Sequence, residues 1–198
     1  MQHTKKGGRG ARQRILDAAA ELFYREGINA TGVERLAAES SVSKRTLYQH
    51  FPSKTAVVEE YLRSIDQRVA DSVLPSADAG DQTPRERLLA VFDTPTARGE
   101  PLRGCPFHNA AVEAAGAMPG VQEIVRTNKR SFIAGLIELA KQAGAADPRL
   151  LGNQLGVLYE GAAALATSLD DSSPWAQART AAETLIDRAV IGGDGWPG

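Results

Sequence analysis

Residues Thr31–Lys54, TGVERLAAESSVSKRTLYQHFPSK, carry the pattern around which the chain is organised. It reads as two short helices joined by a tight turn and followed at once by the start of a third. Thr31 and Glu34 have capping-box spacing, so the hydroxyl can accept from a free N–H while the carboxylate reaches back to the cap. Leu36 and Ala37 give the first helix a small apolar face, suited to close helix crossing. Val42 restarts the apolar pattern, Ser43 is a second N-cap, and Leu47 falls four residues later on the inner face. The outer face of the second helix then carries Lys44, Arg45, Thr46, Tyr48, Gln49 and His50. A short helix with a cationic, donor-rich outer face is what the major groove of DNA accommodates.

Working outward, Ile15, Leu16, Ala19, Leu22 and Phe23 recur at helical spacing within a one-sided helix over 12–26, which Gly27 ends. Together these segments make a three-helix module of 1–52. Pro52 and the cap Ser53 open a long helix reaching about Leu74, with Val57, Val58, Tyr61, Leu62, Ile65, Val69 and Val73 on its apolar side. Its length makes it the candidate lever between the module and the remaining residues, 53–198. Lys54 lies in its first turn, where backbone N–H groups and an ammonium can hold one phosphate.

RILDAAAELFYREGINATGVERLA and VSKRTLYQHFPSK together resemble the tetracycline-repressor (TetR) family of bacterial regulators. The resemblance is dense over the first quarter of the chain. Beyond Tyr61 it rests on helix layout and on RGCPFHNAAVE. It implies that Lys44, Arg45 and Thr46 face base edges or phosphates and that Tyr48 and His50 touch the backbone. Thr31, Ser43 and Lys54 complete the DNA-facing set. It also implies a homodimer joined through a four-helix bundle, and a small-molecule effector bound in the C-terminal domain. Ser41 departs from the pattern, which usually has Gly there. A left-handed non-Gly residue costs about 1–2 kcal/mol, so either the turn is not strongly left-handed or its packing offsets the cost.

A net charge of −1 over 198 residues argues by itself against a nucleic-acid binder. The distribution of charge along the chain argues the other way. Residues 1–54 hold ten Lys and Arg against five Asp and Glu, a net of +5, and residues 55–198 hold thirteen against nineteen, a net of −6. A basic segment on an acidic body is expected where one end meets phosphate. Residues 1–10 read as a basic flexible arm offering Lys5, Lys6 and Arg9, or equally as a solubilising tail. No apolar run nears the length of a membrane span and no apolar core follows the basic N-terminus, so neither membrane nor secretion is expected. One cysteine excludes an internal disulfide framework and fits a reducing, cytoplasmic compartment. With three histidines beside it, no metal site or other cofactor is expected.

The rest of the chain is helical by periodicity, giving an all-α protein of about nine helices. Loops are expected over 75–83 and TPTARGEPLRG. Helices follow from the Thr83 cap, over CPFHNAAVEAAG, after MPG to Gly144, from Asp147 and from Pro174. Cys105, His108 and Asn109 are the residue types of a cysteine-nucleophile triad, but residues adjacent on one helix do not converge as triad members do. At spacings of three, four and seven, Cys105, His108, Asn109 and Val112 share a helix face with Glu113 at its edge. They read as lining for an effector cavity. Tyr61, Ile65, Phe92, Phe107, Phe132 and Tyr159 are candidate walls or ordinary core. Cys105 also admits a redox-sensing role, with Arg103 as the close cation. Leu155, Leu158, Ala162, Leu165, Leu185 and Ile186 form the expected dimer surface on the last two helices.

The reading is therefore a regulator, expected to be a repressor, that binds a palindromic operator as a homodimer and is released by a small molecule. The rival is a helical carrier or enzyme that has kept the architecture without DNA binding. Such a protein has no need for Lys44, Arg45 and Lys54 together.

Overall fold

A computed structural model describes residues 10–73, 82–93 and 104–191, with the side chains of 67–73 and 191 excepted. Among these residues all regular structure is helical: α1 (Ala11–Arg25), α2 (Val33–Glu39), α3 (Lys44–His50), α4 (Lys54–Val73), α5 (Pro84–Ala90), α6 (Pro106–Glu113), α7 (Pro119–Gln142), α8 (Pro148–Leu169) and α9 (Ser173–Ile191). The arm with Lys5, Lys6 and Arg9, the side chains of Val69 and Val73 of α4, Arg103, and the C-terminal tail lie outside what is described. So do the loop residues 75–81 and 94–103.

Several starts are set by the caps legible in the sequence. Ser43 accepts from the Thr46 amide, Ser53 from the Ala56 amide at 3.1 Å, and Asp147 from the Leu150 amide at 2.9 Å. Thr83 and Glu86 form a reciprocal capping box with Pro84 at N1.

The described residues pack as two compact units. The first joins residues up to Ile65 with Pro106–Val125, and the second joins Asp66–Cys105 with the chain from Arg126 onward. The unit boundaries thus fall inside α4 and inside α7. In the first unit, α1, α2 and α3 pack on one another. Ile15, Leu22 and Phe23 of α1, Leu36 of α2, Leu47 of α3 and Val57, Tyr61 and Leu62 of α4 are all buried. Phe23 and Tyr61 meet edge to face at 5.4 Å. The turn between α2 and α3 is left-handed at Ser41, with φ of 52°. The Val42 amide donates to Ala37 and the Ser41 amide to Ala38, both within 3.1 Å. That pattern closes α2 with a Schellman motif, so the turn is strongly left-handed without glycine and its hydrogen bonds offset the cost.

In the second unit α8 and α9 form the principal helix pair. Phe92, Leu136, Leu151, Leu155, Trp175 and Ile186 make its core. A Cβ on Gly152 would stand 2.8 Å from the Ile137 amide nitrogen, so α7 and α8 cross at near-backbone contact and glycine is required there. Arg85 of α5 bonds Asp187 at 2.8 Å and Glu183 at 3.2 Å on α9.

Candidate nucleic-acid interface and effector domain

α3 divides cleanly. Leu47 is fully buried, whereas Lys44, Arg45, Tyr48, Gln49 and His50 are exposed and Thr46 is half-buried. The Ser43 hydroxyl pairs with the Thr46 hydroxyl at 2.9 Å and also takes the Thr46 amide at 3.0 Å, which holds the first turn. Arg12 stacks over Phe51 at 5.4 Å and pairs with Glu60, tying α1 to the end of α3 and to α4. A donor-rich face is thus carried on a rigid brace rather than a loop.

Two expectations in this region are corrected. Gly32, not Thr31, is the N-cap of α2, and no side chain caps it. Thr31 is fully buried and its hydroxyl donates to the Gly27 carbonyl at 2.7 Å, so it turns inward, away from any DNA-facing set. Glu34, free of capping duty, pairs with Lys44 across the turn. The Lys44 ammonium beside it holds the Glu34 carboxyl below its usual range.

Lys54 is half-buried and donates to the Asn29 carbonyl at 3.5 Å. Burial draws its ammonium below the ordinary value while the nearby Glu113 carboxylate opposes that shift. Glu113, expected at the edge of the effector cavity, is engaged with the turn before α2. Its carboxylate accepts the Asn29 amide at 2.7 Å, and its carbonyl accepts the Asn29 side chain at 3.1 Å. The end of α6 is therefore hydrogen-bonded to the turn that leads into α2, and α4 begins against the same residue. Nothing in the spacing of residues 84 apart signalled this.

The residues read as cavity lining are distributed over both units. Tyr61, Ile65, Phe107, His108, Asn109, Val112 and Glu113 belong to the first, and Phe92, Cys105, Phe132 and Tyr159 to the second. α6 does not use one face as the spacing suggested. Phe107 and Ala110 are buried, His108 is exposed and Val112 is 65% exposed, while Cys105 precedes the helix. In the second unit Tyr159 is ringed by Phe132 at 4.8 Å, Trp175 at 5.1 Å and Phe92 at 6.3 Å. Burial first, then the charges of Cys105 and Glu160, push its phenol up to about 12. Cys105 is half-buried with the Lys129 ammonium 3.4 Å from its sulfur, and Lys129 pairs in turn with Glu160. Lys129 is a member of this cluster that periodicity did not single out, and Trp175 was legible only as part of the apolar side of the last helix.

The expected dimer surface is also redrawn. Leu155, Ala162 and Ile186 lie in the chain's own core, and Leu158 and Leu185 pack against it. The uncovered stripe is Leu150, Val157 (75% exposed), Leu165 (54%) and Leu169 (62%). Val157, Leu165 and Leu169 line a groove of about 580 Å³ together with Gly161, Ala162 and Ala178. Leu165 is the one expected residue that remains exposed.

A donor-rich helix on a buried three-helix brace, ahead of a helical unit with an apolar flank, defines a helix-turn-helix DNA-binding regulator of transcription. The chain belongs to the TetR family. The model for bacterial regulatory proteins of the tetR family matches residues 15–61, and that for the tetracyclin repressor-like C-terminal domain matches 84–182. The crystal structure of sav143 from Streptomyces avermitilis, described as a TetR transcriptional regulator, is 34% identical with a TM-score of 0.81. That match covers 91% of this chain and 98% of the other. SCO4454 of Streptomyces coelicolor, a TetR-family transcriptional regulator, is 27% identical with a TM-score of 0.77, covering 91% and 96%. The transcriptional regulator LmrA of Bacillus subtilis is 23% identical over 185 residues, 90% of this chain and 97% of its own. Among the described residues no helix is long and apolar enough to cross a membrane.

Proposed function

We propose that this chain is a cytoplasmic one-component repressor that binds a near-palindromic operator as a homodimer and is released by a small-molecule effector. The observation that carries the reading is the exposed set Lys44, Arg45, Tyr48 and His50 on a helix whose opposite side is locked by Leu47. Arginine and hydroxyl or ring N–H donors match guanine edges and phosphates respectively. Two-fold symmetry then demands an operator of matching symmetry. The apolar stripe of α8 supports pairing with a second copy, and the basic arm of residues 1–10 adds sequence-blind phosphate attraction. The effector binds among the aromatic residues around Tyr159, and α4 with the Glu113–Asn29 contact carries its effect to α2 and α3. To act as an inducer it binds the spacing that misfits the operator more tightly, since equal affinity for both forms shifts nothing. A selection from random duplexes with the purified chain, repeated with candidate ligands, tests this. Enrichment of a palindrome that ligand abolishes is expected; recovery of unenriched sequence sinks the proposal.

A further inference from the structure

The cations of the helix-turn-helix are unequally available. Residues 10–54 hold seven Lys and Arg against five Asp and Glu, a net of only +2. Most of those acids sit on a cation: Arg25 on Glu21, Arg35 between Glu26 and Glu39, and Lys44 on Glu34. Arg45, beside Lys44 in the first turn of α3, is exposed and forms no ion pair with another described residue. The pairing of Lys44 is not local. Glu34 stands in the first turn of α2 and Lys44 in the first turn of α3, so the carboxylate shares the surface from which α3 meets a groove.

We infer that Glu34 is a positioning residue for DNA binding: by engaging Lys44 it withdraws one ammonium from sequence-blind phosphate attraction and leaves the base-reading end of α3 to Arg45. This deepens the reading of α3 as the groove-facing helix and rests on it. Phosphate contacts fix register and set non-specific affinity, whereas base edges carry the discrimination. A phosphate that approaches Lys44 meets an ammonium already hydrogen-bonded to a carboxylate whose charge repels it. The Glu34 carboxylate itself meets repulsion from the backbone unless Lys44 stays with it. The pair is therefore self-neutralising at the interface, and the module attracts arbitrary DNA less than its count of lysines and arginines implies.

The test is equilibrium binding of the full chain to a mixed-sequence duplex between about 50 and 200 mM salt. Wild type, E34Q, K44A, the double variant and R45A are compared. E34Q is expected to tighten binding about threefold at the low-salt end and to steepen the slope of log K against log salt by about 0.9, one phosphate's worth. K44A alone leaves that slope unchanged, R45A, whose guanidinium meets phosphate on a duplex without its cognate base, flattens it, and the E34Q steepening vanishes when Lys44 is absent, as coupling requires. An equal E34Q steepening with and without Lys44 overturns the inference, because it reports general charge removal. So does a K44A slope flattened like that of R45A, or E34Q lowering thermal stability while leaving the slope untouched. A wild type that binds without salt dependence overturns the groove-facing reading as well. Steep wild-type binding weakened by R45A but indifferent to E34Q removes only the role of Glu34.

Discussion

The outer faces of α3 and α8 are both uncovered, yet they are built from opposite chemistry. α3 shows Lys44, Arg45, Tyr48 and His50 to solvent, and α8 shows Leu150, Val157, Leu165 and Leu169. A charged, donor-rich face loses nothing in water and gains when it meets ordered acceptors such as phosphates and base edges. An apolar stripe gains only by removing its area from water, at roughly 25 cal/mol per Å². It is therefore matched by another apolar face, and symmetry makes a second copy of the same stripe the simplest partner. On the proposed function the two faces divide the labour: one meets DNA, and the other sets how two copies are spaced.

The contrast breaks most readily at α8. Leu165→Glu with Val157→Glu places charge in the stripe and is expected to yield a folded monomer by sedimentation. Operator affinity should fall by about 100-fold or more, because the second half-site no longer benefits from an effective concentration. A dimer that persists in this variant would assign the stripe to something other than self-association.

The inner side of α8 sharpens the contrast through Tyr159. Its phenol ionises at about 12 in the folded chain against 10 when exposed. Between those values the unfolded chain has lost a proton that the folded chain keeps, so stability is whole below pH 10 and falls as pH rises through the window. The loss approaches about 2–3 kcal/mol. Tyr159→Phe should remove that part of the alkaline decline in urea unfolding while keeping the ring contacts. An unchanged decline would mean that the phenol is not held away from water.

On α3, Arg45→Ala should cost about 1–3 kcal/mol at one operator position and relax discrimination there. Lys54→Ala should weaken all sequences alike, by a smaller factor, since its ammonium is already shared with the Asn29 carbonyl. If both variants lose selectivity equally, the division between base reading and phosphate holding fails. The smallest effect belongs to the turn beneath α3. Ser41→Gly relieves a left-handed serine at φ of 52° and should stabilise the chain by about 1 kcal/mol or less, after the added freedom of the unfolded glycine is set against it. A destabilised variant in thermal melts would show that the serine side chain contributes more than its backbone costs.

The helix-turn-helix was legible because its signals are contiguous. Ser43, Ser53, Thr83 and Asp147 act as caps on amides three residues away, and Leu36 and Leu47 mark the inner faces by spacing alone. The misread residues share a different property. Thr31 and Glu34 have the right spacing for a capping box, but the alternatives that won, the Gly27 carbonyl and the Lys44 ammonium, lie elsewhere along the chain. Glu113 was read from its helix face, and its partner Asn29 is remote in sequence. Leu155 and Leu165 are the same residue type ten positions apart, and nothing in the local pattern says which one the chain covers itself.

The class of fold, the family, most helix starts and the outward side chains of α3 were legible in the sequence, because each follows from local hydrogen bonding and a short repeat. Which acid holds which cation, which part of the α8 surface stays uncovered and where α6 grips the turn before α2 became visible only in three dimensions. Those choices depend on which surfaces meet after folding, and distance in space is not written in distance along the chain.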